Sequence, residues 1–367
     1  MRITKWALSF VLASMLLFGC KKKEEENTLA TYNRSALLTH YHDRLIMPAF
    51  QSLDDAAKAL EMASIRFANE PTSANLLQAR ARLDSAFKFF QYVYAFDFGP
   101  AELPSGTLTQ EIGTFPVDTN QIEAYIAVSD TSFNNFRRDT RGLNALDYLL
   151  WGKKQRQLDI MLSVDTVASK RAYIRAVARH LSAQVALAKA NWSNYKSTFV
   201  GSTGTEAGSS IANLFNTFNI GFETLKNFKL GLPLGRRAGQ AQAEPNKVEA
   251  YFSGKSTGYA LRHFQHILQV WEGMGANGID GPGFREYLLA AKEPGARLVS
   301  DTEIQVNKAI VSGNNLPLNQ PLSGLISAND QRVFDFFNEL MATTRFFKSE
   351  MASLTGIAIS YSSGDGD

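Results

Sequence analysis

The residues with most chemical content lie in Arg141-Gly142-Leu143-Asn144-Ala145-Leu146-Asp147-Tyr148-Leu149-Leu150-Trp151-Gly152. Asn144 and Asp147 are one helical turn apart, so an amide and a carboxylate point together from an otherwise apolar segment. Buried polar groups need partners, here a ligand, an ion or a structural network, and Arg141 offers a charge partner. His263 and His266 are three apart in an expected helix, a spacing that lets two imidazoles face one metal, though two ligands do not complete a site. His40 and Asp43 share a helix face and read as a solvated pair. Gly273 to Gly278 spell G-x-G-x-x-G, but the motif follows a helix rather than a strand, and it reads as a turn. The chain contains no H-E-x-x-H and no G-x-x-x-x-G-K-[ST].

The elements that position these groups are helices. Leu38, Tyr41, Leu45, Ala49, Leu53, Ala56, Leu60, Ala63 and Phe67 recur in steps of three or four, which predicts one long amphipathic helix kinked or restarted at Pro48. Further helices are expected over about 74–96, with Thr72 or Ser73 as cap, over about 170–199, and through Leu214, Phe218, Phe222 and Leu225. Two more are expected over about 246–271 and from Ser327, with Asp330 at capping-box spacing, through Val333, Phe337, Leu340 and Phe347. Residues 357–361 are the best strand candidate. Gly- and Pro-rich stretches at 99–116, 201–210, 231–245 and 314–324 read as connections, and no fixed-period repeat is visible. The expected fold is all-α, two packed bundles of long antiparallel helices, with domains at 35–200 and 201–358 and a disordered tail at 359–367.

Composition excludes several classes. Of 367 residues, 45% are hydrophobic and 20% charged, enough apolar matter for a large core. The net charge is +3, too small for a dedicated nucleic-acid binder. A single cysteine rules out an intrachain disulfide and a thiolate zinc site. That cysteine, Cys20, follows a basic start, an apolar run over 6–18 and a small residue, Gly19. The pattern resembles a bacterial lipoprotein signal (1–19), which implies acylation of Cys20 and attachment to a membrane. Lys21-Lys22-Lys23-Glu24-Glu25-Glu26 opens a charged tether over 20–34 and resembles the export tags of surface-exposed lipoproteins.

The block around Asn144 resembles the signature of the imelysin-like family, G-x-H-x-x-E followed by an aromatic, leucines and a Trp- or Phe-Gly end. Gly142 and Tyr148-Leu149-Leu150-Trp151-Gly152 match it, whereas Asn144 stands in place of His and Asp147 in place of Glu. Other blocks follow in family order: Pro48 with its helix, Phe96-Asp97-Phe98-Gly99-Pro100, Phe115-Pro116-Val117-Asp118, Leu232-Pro233-Leu234-Gly235 and Tyr251-Phe252-Ser253-Gly254-Lys255-Ser256. A third acidic family position is here Tyr94. The resemblance spans roughly 35–349 and implies a signature cleft between the bundles, with Tyr94, Phe115, Pro116, Asp118, Arg141, Gly142, Asn144, Asp147, Ser253 and Ser256 around it. Asp147, or His263 with His266, would be the metal ligands, and iron or another divalent cation the cofactor. An amide oxygen suits hard cations better than iron or zinc, so the expected metal site is degenerate.

Three function classes follow. A lipid-anchored binding protein of the outer membrane, on its periplasmic face or at the cell surface, would serve iron or haem uptake with an uptake receptor as partner. A metal-independent surface interaction protein is the alternative. A peptidase is implied by the family resemblance, but no nucleophile with a neighbouring base can be recognised.

Overall fold

The computed structural model describes residues 29, 31–152, 156–275 and 278–361. Cys20, the apolar run before it and the charged tether's first half lie outside the described residues, as does most of the 359–367 tail.

The first helical rod is built as its apolar period predicts, with one modification. Helix α1 (Arg34–His40) passes through a π-helical turn (Tyr41–Ile46) into α2 (Met47–Asn69). Pro48 has no N–H to return to Arg44, and the π-turn accommodates it: the Met47 N–H reaches back five residues to the His42 carbonyl. Thr72 caps α3 (Ser73–Phe90), accepting the Asn75 N–H at 3.3 Å. The chain then turns through a 3-10 segment (Tyr94–Phe96), so this helix is shorter than its sequence suggests. Two-residue strands, β1 (Glu102–Leu103) and β2 (Gly106–Thr107), form a small antiparallel hairpin ahead of α4 (Leu108–Gly113) and α5 (Thr119–Ala127). Helix α6 (Gly142–Trp151) carries the signature, α7 (Gln157–Thr166) follows, and α8 (Ala168–Gly201) spans the length of this half.

The second half opens with α9 (Ser210–Glu223), which runs into a π-helical stretch (Thr224–Gly231). Then come α10 (Ser256–Glu272), α11 (Phe284–Leu289), α12 (Glu293–Asn314), α13 (Leu322–Ser327), α14 (Gln331–Arg345) and α15 (Met351–Thr355). Helix α14 starts later than expected: Ser327 ends α13, and Asp330 itself is the cap, accepting the Arg332 N–H at 3.0 Å. The protein is thus mostly helical, in two groups. In the first, α2 packs on α3 and α8, and α6 lies against α3 and α8. In the second, α12 packs on α14, and α10 lies against α9 and α11. The 3-10 turn at Tyr94 seats on α9, so one apolar core runs through both groups.

Three expectations are corrected. Residues 246–255 are not the start of a helix: a 3-10 turn (Pro245–Lys247) and an irregular turn precede α10. Residues 357–361 form no strand; the side chain of Asn216 binds that segment instead, donating to the Ala358 carbonyl at 3.0 Å and accepting from the Ser360 N–H at 3.0 Å. His40 and Asp43 do not pair: His40 Nε2 lies 2.6 Å from the Gly273 carbonyl, while Asp43 meets His42 and Lys196, each at 2.7 Å. Gly273, at φ +73°, ends α10 in the left-handed conformation, so the glycine motif there begins as a helix stop.

Candidate functional site

Helix α6 is apolar nearly all round, and every residue from Gly142 to Leu150 is buried. Its start is fixed by close backbone approach: Gly142 has φ +80°, and a Cβ there would fall 2.4 Å from the Ile112 carbonyl oxygen. Arg141, just before it, is buried and grips Glu111 of α4 with Nε at 3.1 Å and Nη2 at 2.9 Å from Oε2. Burial would raise the Glu111 pKa, but His180, 3.5 Å away, and the Arg138 and Arg141 guanidiniums outweigh it and hold it at about 2. Arg141 therefore fastens α4 to α6 and is not free for a ligand. At the other end, Arg80 of α3 donates to the Leu150 carbonyl at 3.0 Å and stacks 4.1 Å over the Trp151 ring.

From this fixed helix Asn144 and Asp147 reach the turn before α10. Asn144 Nδ2 donates to the Gly113 carbonyl at 3.1 Å, and its Oδ1 accepts the Ala250 N–H at 2.8 Å. Ala250 holds φ +51°, a costly conformation for a residue with a side chain, and the Asn144 bond helps to hold it. Asp147 accepts the Phe252 N–H at 2.8 Å and the Ser253 N–H at 3.2 Å. Burial pushes the Asp147 carboxyl up to about 6; the Ser253 and Phe252 hydrogen bonds lower it in part, and nearby Glu249 raises it further. Both carboxylate oxygens are directed at backbone N–H groups.

Beneath the turn lies a second polar cluster that the sequence did not disclose. Lys229 and Glu249, both buried, pair at 2.9 Å. Gln91 Nε2 and the Tyr94 hydroxyl each donate to Glu249 at 3.4 Å, and Lys229 Nζ sits 4.3 Å from the Tyr94 ring centre. Lys229 also donates to Gln91 Oε1. Burial lowers the Lys229 pKa, against the pull of Glu249. No spacing rule connects these residues, because they come from the end of α3 at Gln91, the 3-10 turn at Tyr94, the π-helical stretch and the turn before α10.

The cleft over the turn has a volume of about 950 Å³ and is lined by Phe115, Pro116, Asn144, Asp147 and Ser253, among others. The other named residues stand outside its lining. Tyr94 is in the buried cluster and stacks on His263, with ring centres 4.3 Å apart. Asp118 caps α5, accepting the Gln121 N–H at 3.0 Å, and pairs with Arg137 at 2.7 Å. Ser256 is buried at the first turn of α10. His263 and His266 are buried among aromatic rings, His266 with Tyr92 and Phe96, and burial holds both uncharged, His266 at about 4. Among the described residues no group of three or more His, Cys, Asp or Glu side chains converges on one point, so the two histidines gain no third ligand.

The imelysin family model (peptidase M75) matches residues 46–333. The chain belongs to the imelysin family. Two solved structures of similar fold carry the likeness over nearly the whole length. One, described as an iron-regulated protein A precursor from Parabacteroides distasonis ATCC 8503, superposes with a TM-score of 0.70 at 15% identity, covering 88% of this chain and 95% of that one. The other, an imelysin-like protein from Psychrobacter arcticum 273-4, gives 0.68 at 16% identity, covering 90% and 97%. No functionally curated protein matches the chain significantly in sequence. In this imelysin, the positions read as signature His and Glu, Asn144 and Asp147, tie α6 to the turn that walls the cleft.

Proposed function

We propose that this imelysin-family protein is a lipid-anchored binding protein of the bacterial cell envelope, attached to the outer membrane through Cys20 and serving nutrient uptake, with iron or haem supply the expected setting and an envelope uptake receptor its partner. The basic start, apolar run and Gly19-Cys20 pair support the anchor, and the fold likeness to a protein described as iron-regulated supports the setting.

One observation carries the reading of binding over peptide cleavage: Asn144 and Asp147 spend their polar atoms on the backbone at Gly113, Ala250, Phe252 and Ser253. A peptidase of metal type needs an open coordination position with a base beside it. Here the carboxylate is used to shape a wall, and the cleft it shapes is a receptacle. Incubation of the full chain with unfolded insulin B chain, with and without added zinc or ferrous iron, tests this. The reading predicts no cleavage in either case. Cleavage that disappears in Asp147→Ala contradicts it. Labelled palmitate taken up by cells expressing the chain, and lost in Cys20→Ala, tests the anchor.

A further inference from the structure

The chemistry of the cleft wall is selective about what can enter. Its aromatic and proline faces come from Phe115, Pro116, Tyr251, Phe252 and Pro321. Hydroxyl and amide groups are interleaved with them, from Thr119, Asn246, Ser253, Ser323 and Ser327. The single carboxylate of the lining is Asp147, which is buried and held by backbone N–H groups; among the described residues no lysine, arginine or histidine lines the cleft. Of the lysines that adjoin the lining, Lys247 pairs with Glu244 at 2.7 Å and Lys255 with Asp84 at 3.0 Å, while Lys153 and Lys154, next to Gly152, lie outside the described residues.

These facts exclude by electrostatics before they select by shape. A phosphate, sulfate or carboxylate ligand brought into such a cleft loses its hydration and meets no cation among the described lining residues. An ammonium or bare metal ion meets one carboxylate whose oxygens already accept N–H groups. What remains is a ligand without charge that offers apolar faces to rings and hydroxyls to the Ser, Thr and Asn side chains. Pyranose rings have that composition, with C–H faces above and below and hydroxyls around the edge. A volume of about 950 Å³ lies at the upper end of ordinary ligand pockets, so the occupant is more than one ring.

We propose that the cleft binds a short, uncharged oligosaccharide, stacked on Tyr251 and the neighbouring rings and hydrogen-bonded by Asn246, Ser323 and Ser327. This rests on reading the cleft as the binding site, and it names the ligand class for that site. The envelope position proposed above would bring the protein into contact with such chains.

Calorimetric titration of the full chain with a panel of neutral trisaccharides, of gluco-, manno-, galacto- and xylo-type, tests it beside trigalacturonate and an end-capped Ser/Ala tripeptide. At least one neutral trisaccharide is expected to bind. Tyr251→Ala and, separately, Asn246→Ala are each expected to weaken it about tenfold with the melting midpoint unchanged, and trigalacturonate is expected to bind at least about tenfold more weakly. Asn246 is exposed, so its variant keeps the test sound should Tyr251→Ala perturb the fold. Failure of every neutral trisaccharide to bind overturns the proposal. Binding of the capped tripeptide alone, lost in Tyr251→Ala, overturns the saccharide while leaving the cleft as the site. Saccharide binding untouched by either substitution overturns both.

Discussion

The carboxylate of Asp147 meets the Phe252 N–H at 2.8 Å across 105 positions of sequence. Together with Asn144 and Ala250 at 2.8 Å, it makes helix α6 the mould of the turn that forms one wall of the cleft. Two side chains at positions associated with metal chemistry by resemblance thus act here on backbone geometry.

Asn144→Ala removes an acceptor for the Ala250 N–H and a donor for the Gly113 carbonyl, both buried. Leaving these groups unpaired is expected to cost about 2–4 kcal/mol, measured by urea unfolding. Asn144→Asp keeps the acceptor but sets a carboxylate against the Gly113 carbonyl, and it should be no milder.

Gly142→Ala places a Cβ against the Ile112 carbonyl at a φ of +80°. The expected loss is about 2 kcal/mol or more, since neither the left-handed conformation nor the close backbone tolerates a side chain. A fall in the thermal midpoint measures it, and the neighbouring Leu143→Met serves as the mild control.

The raised pKa of Asp147 gives a pH signature of definite sign. Its stabilising contribution is fully present below about pH 3.8, where folded and unfolded states are both protonated, and is lost as the pH rises through about 6. The span corresponds to about 3 kcal/mol. Asp97, also buried and raised to about 6, follows the same sign, and Glu111, held at about 2, has the opposite one: its contribution is lost as the pH falls from about 4.5 through 2. Urea unfolding at several values between about pH 4 and 7 should therefore show the penalty of Asp147→Asn shrinking as the pH rises. A penalty that does not vary with pH contradicts this account of the Asp147 environment.

Arg141→Met strands part of the Glu111 charge in the core, with Arg138 at 2.8 Å as its remaining close cation. The expected cost is about 3 kcal/mol at neutral pH, read from chemical unfolding, and smaller in acid, where Glu111 can take up a proton.

The long helices were legible because their burial is one-sided: Leu53, Leu60 and Phe67 of α2, and Val177, Leu181, Val185 and Trp192 of α8, repeat at helical period. Helix α12 was not legible, since its buried face includes Thr302 and Gln305 and its first turn contains Pro294 and Gly295. The helix expected over about 246–271 begins only at Ser256. Gly254, at φ +70°, was the contrary signal. The signature helix was marked by the Asn144 and Asp147 spacing, and Phe115, Pro116 and Ser253, which line the cleft, were named only through the family resemblance. The Lys229–Glu249 pair could not, because its members are brought together by tertiary packing alone.

Hydrogen exchange at the Ala250, Phe252 and Ser253 amides, in the intact chain and in Asp147→Ala, tests the central claim most directly. If Asp147 moulds the cleft wall, the Phe252 and Ser253 amides are protected in the parent and exchange at least about a hundredfold faster in the variant, while the amides of α8 keep their protection. Phe252 and Ser253 amides that exchange equally fast in both proteins would contradict it.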